Sequence, residues 1–100
     1  KNLILKNMGK NLKEKESNGE FIGMLKLNSE GVKIFKHYYK KAKSNFKKNN
    51  FYNDKTIKKA YLTDFFQYLI SNKKKIKCIL IKKNWMEIDT VQDYKRAKNF

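Results

Sequence analysis

The sequence predicts an α/β fold, with a mixed sheet flanked by helices. Residues 20–27 (EFIGMLKL) and 76–82 (IKCILIK) are apolar on both parities, as strands are inside a covered sheet. Elsewhere apolar residues recur at spacings of three and four, the mark of amphipathic helices. The resulting order is strand, strand, helix, helix, strand, strand, helix, with no internal repeat, and that order is an α/β arrangement.

The elements follow in turn. Residues 3–6 form a short strand candidate, and residues 7–19 are polar and turn-rich, with Gly9, Asn18 and Gly19 as breakers. In the strand at 20–27, Phe21, Gly23, Leu25 and Leu27 share one face, and Ile22 and Met24 the other. Ser29 stands where an N-cap belongs, with Glu30 favourable in the first turn. Val32, Phe35, Tyr39, Ala42 and Phe46 then give a helical stripe, with Lys33, Lys36, Lys40, Lys43 and Lys47 off it. Residues 46–59 read as a Lys/Asn-rich loop with a helical turn. A second helix spans about 60–72 on the stripe Leu62, Phe65, Phe66, Leu69 and Ile70. After the charged connection 73–75 come the strand 76–82, a short strand 85–89, and a last helix over 90–99. Thr90 and Asp93 have capping-box spacing there, and Val91, Tyr94 and Ala97 face the core.

One hundred residues make one modest domain, and 40% apolar content is enough to bury a core. No apolar run is long enough for a membrane span. The run Leu3-Ile4-Leu5 is too short for a secretory leader, and a cytoplasmic location is the expectation. Cys78, the single cysteine, has no internal disulfide partner and reads as a core thiol. The chain begins at Lys1 without a Met and reads as a piece of a longer protein.

The formal net charge of +16 raises the question of an anionic partner. Arg96 is the only arginine, however, and base-reading surfaces favour arginine for its planar fork. Lys, Asn and Ile are abundant together and Pro is absent, as in the products of AT-rich genomes. A solvated helix face is the simpler reading of the lysines around 40–48. His37, in a lysine-rich helix without a partner, reads as bland. Tyr38 and Tyr39 read as helix packing. Ser29 and Thr90 read as caps, with no neighbouring His to activate either as a nucleophile.

Against this basic background the stretch 84–94 (NWMEIDTVQDY) packs Glu87, Asp89 and Asp93 beside Trp85, the only tryptophan. On a strand, Trp85, Glu87 and Asp89 share one face, while Met86 and Ile88 anchor the other. Two carboxylates about 6.5 to 7 Å apart along the chain can hold one hard cation jointly. Asp89 also ends the strand just before a helix, where α/β sheets gather ligands. Half-solvated carboxylates with an ordinary helix cap are the simpler reading of the same residues.

The stretch WMEIDTVQDY at 85–94, between a strand and a helix, resembles the C-terminal signature of sugar-nucleotide-type nucleotidyltransferases. It is closest to the phosphocholine and phosphonate cytidylyltransferases. NGEFIGM at 18–24 is similar to that family's GEFIG strand, and KAYLTDFFQYLI at 59–70 to the helix before its last large strand. The resemblance runs in order along nearly the whole chain. It implies the C-terminal, acceptor-side portion of a Rossmann-like nucleotidyltransferase fold. It also implies Mg2+ and attack on the α-phosphorus of a nucleoside triphosphate, most simply CTP, by a small phosphate or phosphonate acceptor, with release of pyrophosphate. Asp89 matches the family's metal carboxylate, with Glu87 assisting. Glu20 matches the carboxylate heading the GEFIG strand, near the acceptor. Tyr61, Asp64 and Trp85 are further acceptor-pocket candidates, and Trp85 would meet a choline or amine through cation–π contact.

The departure from the family is large. Its nucleotide-binding half opens with a Gly-rich loop bearing Arg and Lys, and Gly9, Gly19, Gly23 and Gly31 form no such loop. The family's first metal-binding Asp also has no counterpart, so the chain by itself is expected to be inactive. The rival expectation is a small basic module that binds nucleic acid through its lysine-rich helix. It ranks second, because lysine alone reads no bases.

Overall fold

The computed structural model describes residues 3–9, 12–46, 51 and 56–100. Among them are three α-helices and one two-stranded sheet. These are β1 (Leu3–Ile4), α1 (Ser29–Asn45), α2 (Leu62–Ser71), β2 (Lys77–Cys78) and α3 (Val91–Ala97), with 3-10 turns at Glu14–Glu16 and Ile57–Lys59. No helix among the described residues is long and apolar enough to cross a membrane.

The core lies between α1 and α2. Ala42 is fully buried on α1, and Phe65, Phe66, Tyr68 and Leu69 are buried on α2. Phe51, from the connection, inserts beside Phe46 and Tyr68 at ring-centroid distances of 4.9 and 5.1 Å. Phe35 tilts onto Phe65 at 4.7 Å, and Phe21 meets Phe66 edge-on at 5.5 Å. Such offset aromatic contacts each add about 0.5–1.5 kcal/mol beyond burial. The α1 stripe is rotated slightly from the expected one. Ile34 and Tyr38 pack on the core, while Val32 and Tyr39 sit at its exposed edge.

Three caps fix the helices. Asn28, not Ser29, is the N-cap of α1: its Oδ1 accepts from Gly31 N at 2.8 Å, and Ser29 is the first helical residue. Asn is as good a cap as Ser, and its position one residue earlier wins. At the start of α2 the Asp64 carboxylate accepts from Tyr61 N at 2.9 Å. At its end, Lys73 N donates to Ile70 O and Lys74 N to Leu69 O, with Lys73 at φ 62°. That is a Schellman turn with lysine where glycine is the usual residue.

The sheet is smaller than the sequence predicts. β1 and β2 pair antiparallel, with Leu3 opposite Cys78 and Ile4 opposite Lys77, and Leu5 N extends the ladder to Ile76 O. Residues 20–27 and 85–89 carry no strand pairing. Gly23, at φ 88°, breaks the pleat of the first stretch in the left-handed region that glycine alone enters freely. Beyond Cys78, Ile79, Leu80 and Ile81 are 88, 59 and 49% exposed instead of interior. Cys78 itself is half-buried rather than core. An apolar strand is buried only when neighbours cover it, and a two-residue partner covers two residues.

Candidate functional site

The carboxylates of the C-terminal stretch gather at the start of α3. Thr90 and Asp93 form the capping box that their spacing predicts. Asp93 N donates to Thr90 Oγ1, and the Asp93 carboxylate accepts from Thr90 N, each at 3.1 Å. The same carboxylate oxygen also accepts from Asp89 N at 3.1 Å, so the backbone of Asp89 is tied down by the cap. Its other oxygen pairs with Arg96 one turn on. These contacts hold the Asp93 carboxyl below its usual range. The Asp89 backbone bond contributes most, then the Thr90 hydroxyl and backbone, and Arg96 adds its charge.

With the Asp89 backbone fixed, its side chain meets Glu87. The charge of Asp89 is the main reason that the Glu87 carboxyl is pushed above its usual range. Desolvation, a hydrogen bond that protonated Glu87 donates to Asp89, and the charges of Glu20 and Asp93 add to it. Glu87 and Asp89 therefore act as a like-charged pair on one side, as strand alternation predicts, although no strand forms there.

Glu20, far away in the sequence, acts on Glu87 through its charge. Its neighbour Phe21 anchors the stretch on α2 through Phe66. Of the expected residues, the structure pairs Glu87 with Asp89, and Glu20 reaches Glu87 through its charge alone. Trp85 is 38% exposed beside them. Met86 is half-buried as an anchor should be, but Ile88 is 52% exposed and anchors nothing.

Tyr61 and Asp64 have a different setting. Asp64 is only 2% exposed and caps α2. Burial takes its carboxylate out of direct reach of an acceptor. Tyr61, 40% exposed, lines a recess of about 290 Å³ with Phe35, Tyr39, Phe51, Ile57 and Phe65. The sequence reading missed this recess. The signal for it was the pair of aromatic i, i+4 couples, Phe35 with Tyr39 and Tyr61 with Phe65.

Magnesium typically takes one or two carboxylates together with phosphate oxygens and water. Glu87 and Asp89 supply two, which fits that modest demand. Among the described residues, no group of three or more His, Cys, Asp or Glu is placed to hold a metal ion unaided. Charges influence one another over about a Debye length, roughly 10 Å, which is much farther than coordination reaches. Glu20 is felt by Glu87 on that longer scale.

The sequence matches no family model, and no curated protein or solved structure matches it.

Proposed function

We propose that this chain is the acceptor-side portion of a magnesium-dependent nucleotidyltransferase, using CTP and a small phosphate or phosphonate acceptor. The observation that supports the proposal is the Glu87–Asp89 carboxylate pair, which the charge of Glu20 also reaches. The two stretches that resemble the nucleotidyltransferases lie at opposite ends of the sequence, yet near enough for the charge of Glu20 to act on Glu87. The exposed apolar run 79–81 agrees with it, since a larger sheet would cover those residues.

In this reading Asp89 and Glu87 hold the metal, which offsets phosphate charge during attack at the α-phosphorus. Metal binding also relieves the repulsion that raises Glu87. Glu20 and Trp85 border the acceptor, and Tyr61 contributes an aromatic wall. Asp64 serves by fixing the start of α2. The triphosphate cradle comes from residues outside these 100, in a Rossmann-like fold that the present sheet only begins.

Two experiments test the proposal. In NMR spectra of this chain, millimolar magnesium is expected to shift the amides of Glu20, Glu87 and Asp89, and Asp89→Asn to remove the response. In the longer gene product, pyrophosphate release from CTP with phosphate and phosphonate acceptors should disappear in Asp89→Ala while the fold persists. Full turnover in Asp89→Ala, or transfer by this chain alone, would sink the proposal.

A further inference from the structure

Lysines and carboxylates are segregated along this chain. Between Gly31 and Met86 the only carboxylates are Asp54 and Asp64. Asp54 lies outside the described residues, and Asp64 is buried in the α2 cap. The lysines of that span have no ion pair among the described residues; the one seen joins Arg96 to Asp93.

On α1 the lysines form a surface. Lys33, Lys36, Lys40 and Lys43 recur at three and four residues and share the helix face opposite buried Ala42. The helix has 17 residues, about 25 Å, so the stripe is long enough to meet several phosphates. Lys41 lies beside the stripe with its Nζ 5.5 Å from the centroid of the Tyr38 ring. Lys74 reaches the same ring at 5.4 Å. Lys74 follows α2, and the left-handed Lys73 turns the chain so that it comes back toward α1. Tyr38 stands one turn before Ala42 on the core side of α1, so Lys41 and Lys74 lie off the outer stripe.

The aromatic rings here are already engaged. Tyr38 meets His37 at 4.9 Å and Tyr68 at 6.3 Å, both edge-on, beneath its two lysines. Tyr39 carries Lys43 Nζ at 5.4 Å. Proteins that hold single strands stack bases on free aromatic faces. This surface offers point charges instead, and lysine contacts phosphate without reading bases.

We propose that the outer face of α1, the stripe Lys33, Lys36, Lys40 and Lys43, docks on the phosphate backbone of duplex nucleic acid without reading its sequence. The surface uses none of the carboxylates of the nucleotidyltransferase reading, so either can fail alone.

The test is fluorescence anisotropy with a labelled random-sequence DNA duplex over a salt series. The variant Lys33→Gln/Lys36→Gln/Lys40→Gln is compared with the charge-matched control Lys15→Gln/Lys82→Gln/Lys83→Gln. Gln keeps helix propensity, and far-UV circular dichroism verifies folding. A second variant, Lys33→Gln/Lys40→Gln/Lys43→Gln, also leaves the Tyr38 contacts intact and gives a second reading of the stripe. Both site variants should lose about tenfold or more in affinity, with the log–log salt slope shallower by about 2–3, close to 0.9 per lost phosphate contact. The control should keep its slope and lose less than about threefold. Equal losses in site and control variants would overturn the proposal, because net charge alone would then explain binding. Tighter binding to a single strand than to the duplex would overturn it as well.

Discussion

The helical core and the C-terminal stretch treat the same kinds of side chain in opposite ways. Between α1 and α2, Phe65, Phe66, Tyr68 and Leu69 are all at most 7% exposed. In the C-terminal stretch, Ile79, Leu80, Ile88, Val91 and Tyr94 are all more than half exposed. The difference is one of closure. An amphipathic helix pair satisfies its backbone internally and needs only one facing stripe. An apolar strand needs neighbours on both edges and cover on both faces. The first unit is closed by its own two helices, whereas the apolar run of the second has no such cover among the described residues.

The largest expected effect tests that contrast directly. Phe66→Ala should destabilise the chain by about 3–5 kcal/mol, a large share of the total for a domain of this size. Ile79→Ala should change stability by no more than about 0.5 kcal/mol here, because the side chain is already in water. Chemical denaturation of both variants measures the gap. The proposed larger domain sharpens it: in the longer gene product, Ile79→Ala should become a core substitution and lose several kcal/mol. If Ile79→Ala is equally harmless there, the half-domain proposal falls.

Next in size is Asp64→Ala. It removes a buried carboxylate that accepts from Tyr61 N, and should lower stability by about 1–3 kcal/mol. The contrast is with Asp89→Ala, whose exposed side chain should leave the melting temperature nearly unchanged while removing the magnesium response. Equal stability losses at the two sites would mean that the C-terminal carboxylates are structural.

Much of this was legible in the sequence because helices are local. The stripes on α1 and α2 and the Thr90–Asp93 box are fixed by residues three and four apart; both helices and the box are present, with the α1 stripe shifted toward Ile34 and Tyr38 and Leu62 of the α2 stripe left exposed. Strand pairing is not local. The both-parity apolar runs at 20–27 and 76–82 state that cover is needed, not whether it is present. Two caps escaped notice for specific reasons. Tyr61 is a poor N-cap residue, which hid the role of Asp64, and Lys73 shows no glycine to mark its left-handed turn. Charge patterning did mark the candidate acidic corner, but spacing alone said nothing of the charge of Glu20 acting on Glu87.

Lys73→Gly is the next prediction in size. A non-glycine residue at φ 62° carries a steric cost that glycine lacks, so the substitution should stabilise α2 by about 0.5–1 kcal/mol after its entropic penalty in the unfolded chain. A loss of stability instead would show that the Lys73 side chain supports the core end of α2, against the account of that turn as strained.

The smallest effect concerns the acidic corner, where two neighbouring carboxylates should respond to pH in opposite senses. Glu87 is raised by Asp89, so the folded state favours its protonated form. Its contribution is most favourable below the unfolded value and is lost as pH rises through the folded one. Asp93 is lowered by its capping bonds, so its contribution is present above the unfolded value and is lost as pH falls through the folded one. Glu87→Gln should therefore melt slightly higher than the parent at neutral pH, and the gap should close as the pH drops through the carboxylate range. Asp93→Asn should melt lower at neutral pH, and that gap should close on acidification too. Both sites are exposed, so high salt should shrink the Glu87 effect through screening, while the hydrogen-bonded part of the Asp93 effect persists. Melting curves at two pH values and two salt concentrations separate the pair. A Glu87→Gln variant that melts below the parent at neutral pH would mean that Glu87 is attracted rather than repelled in the fold. The proposed magnesium site would then lose its like-charged pair.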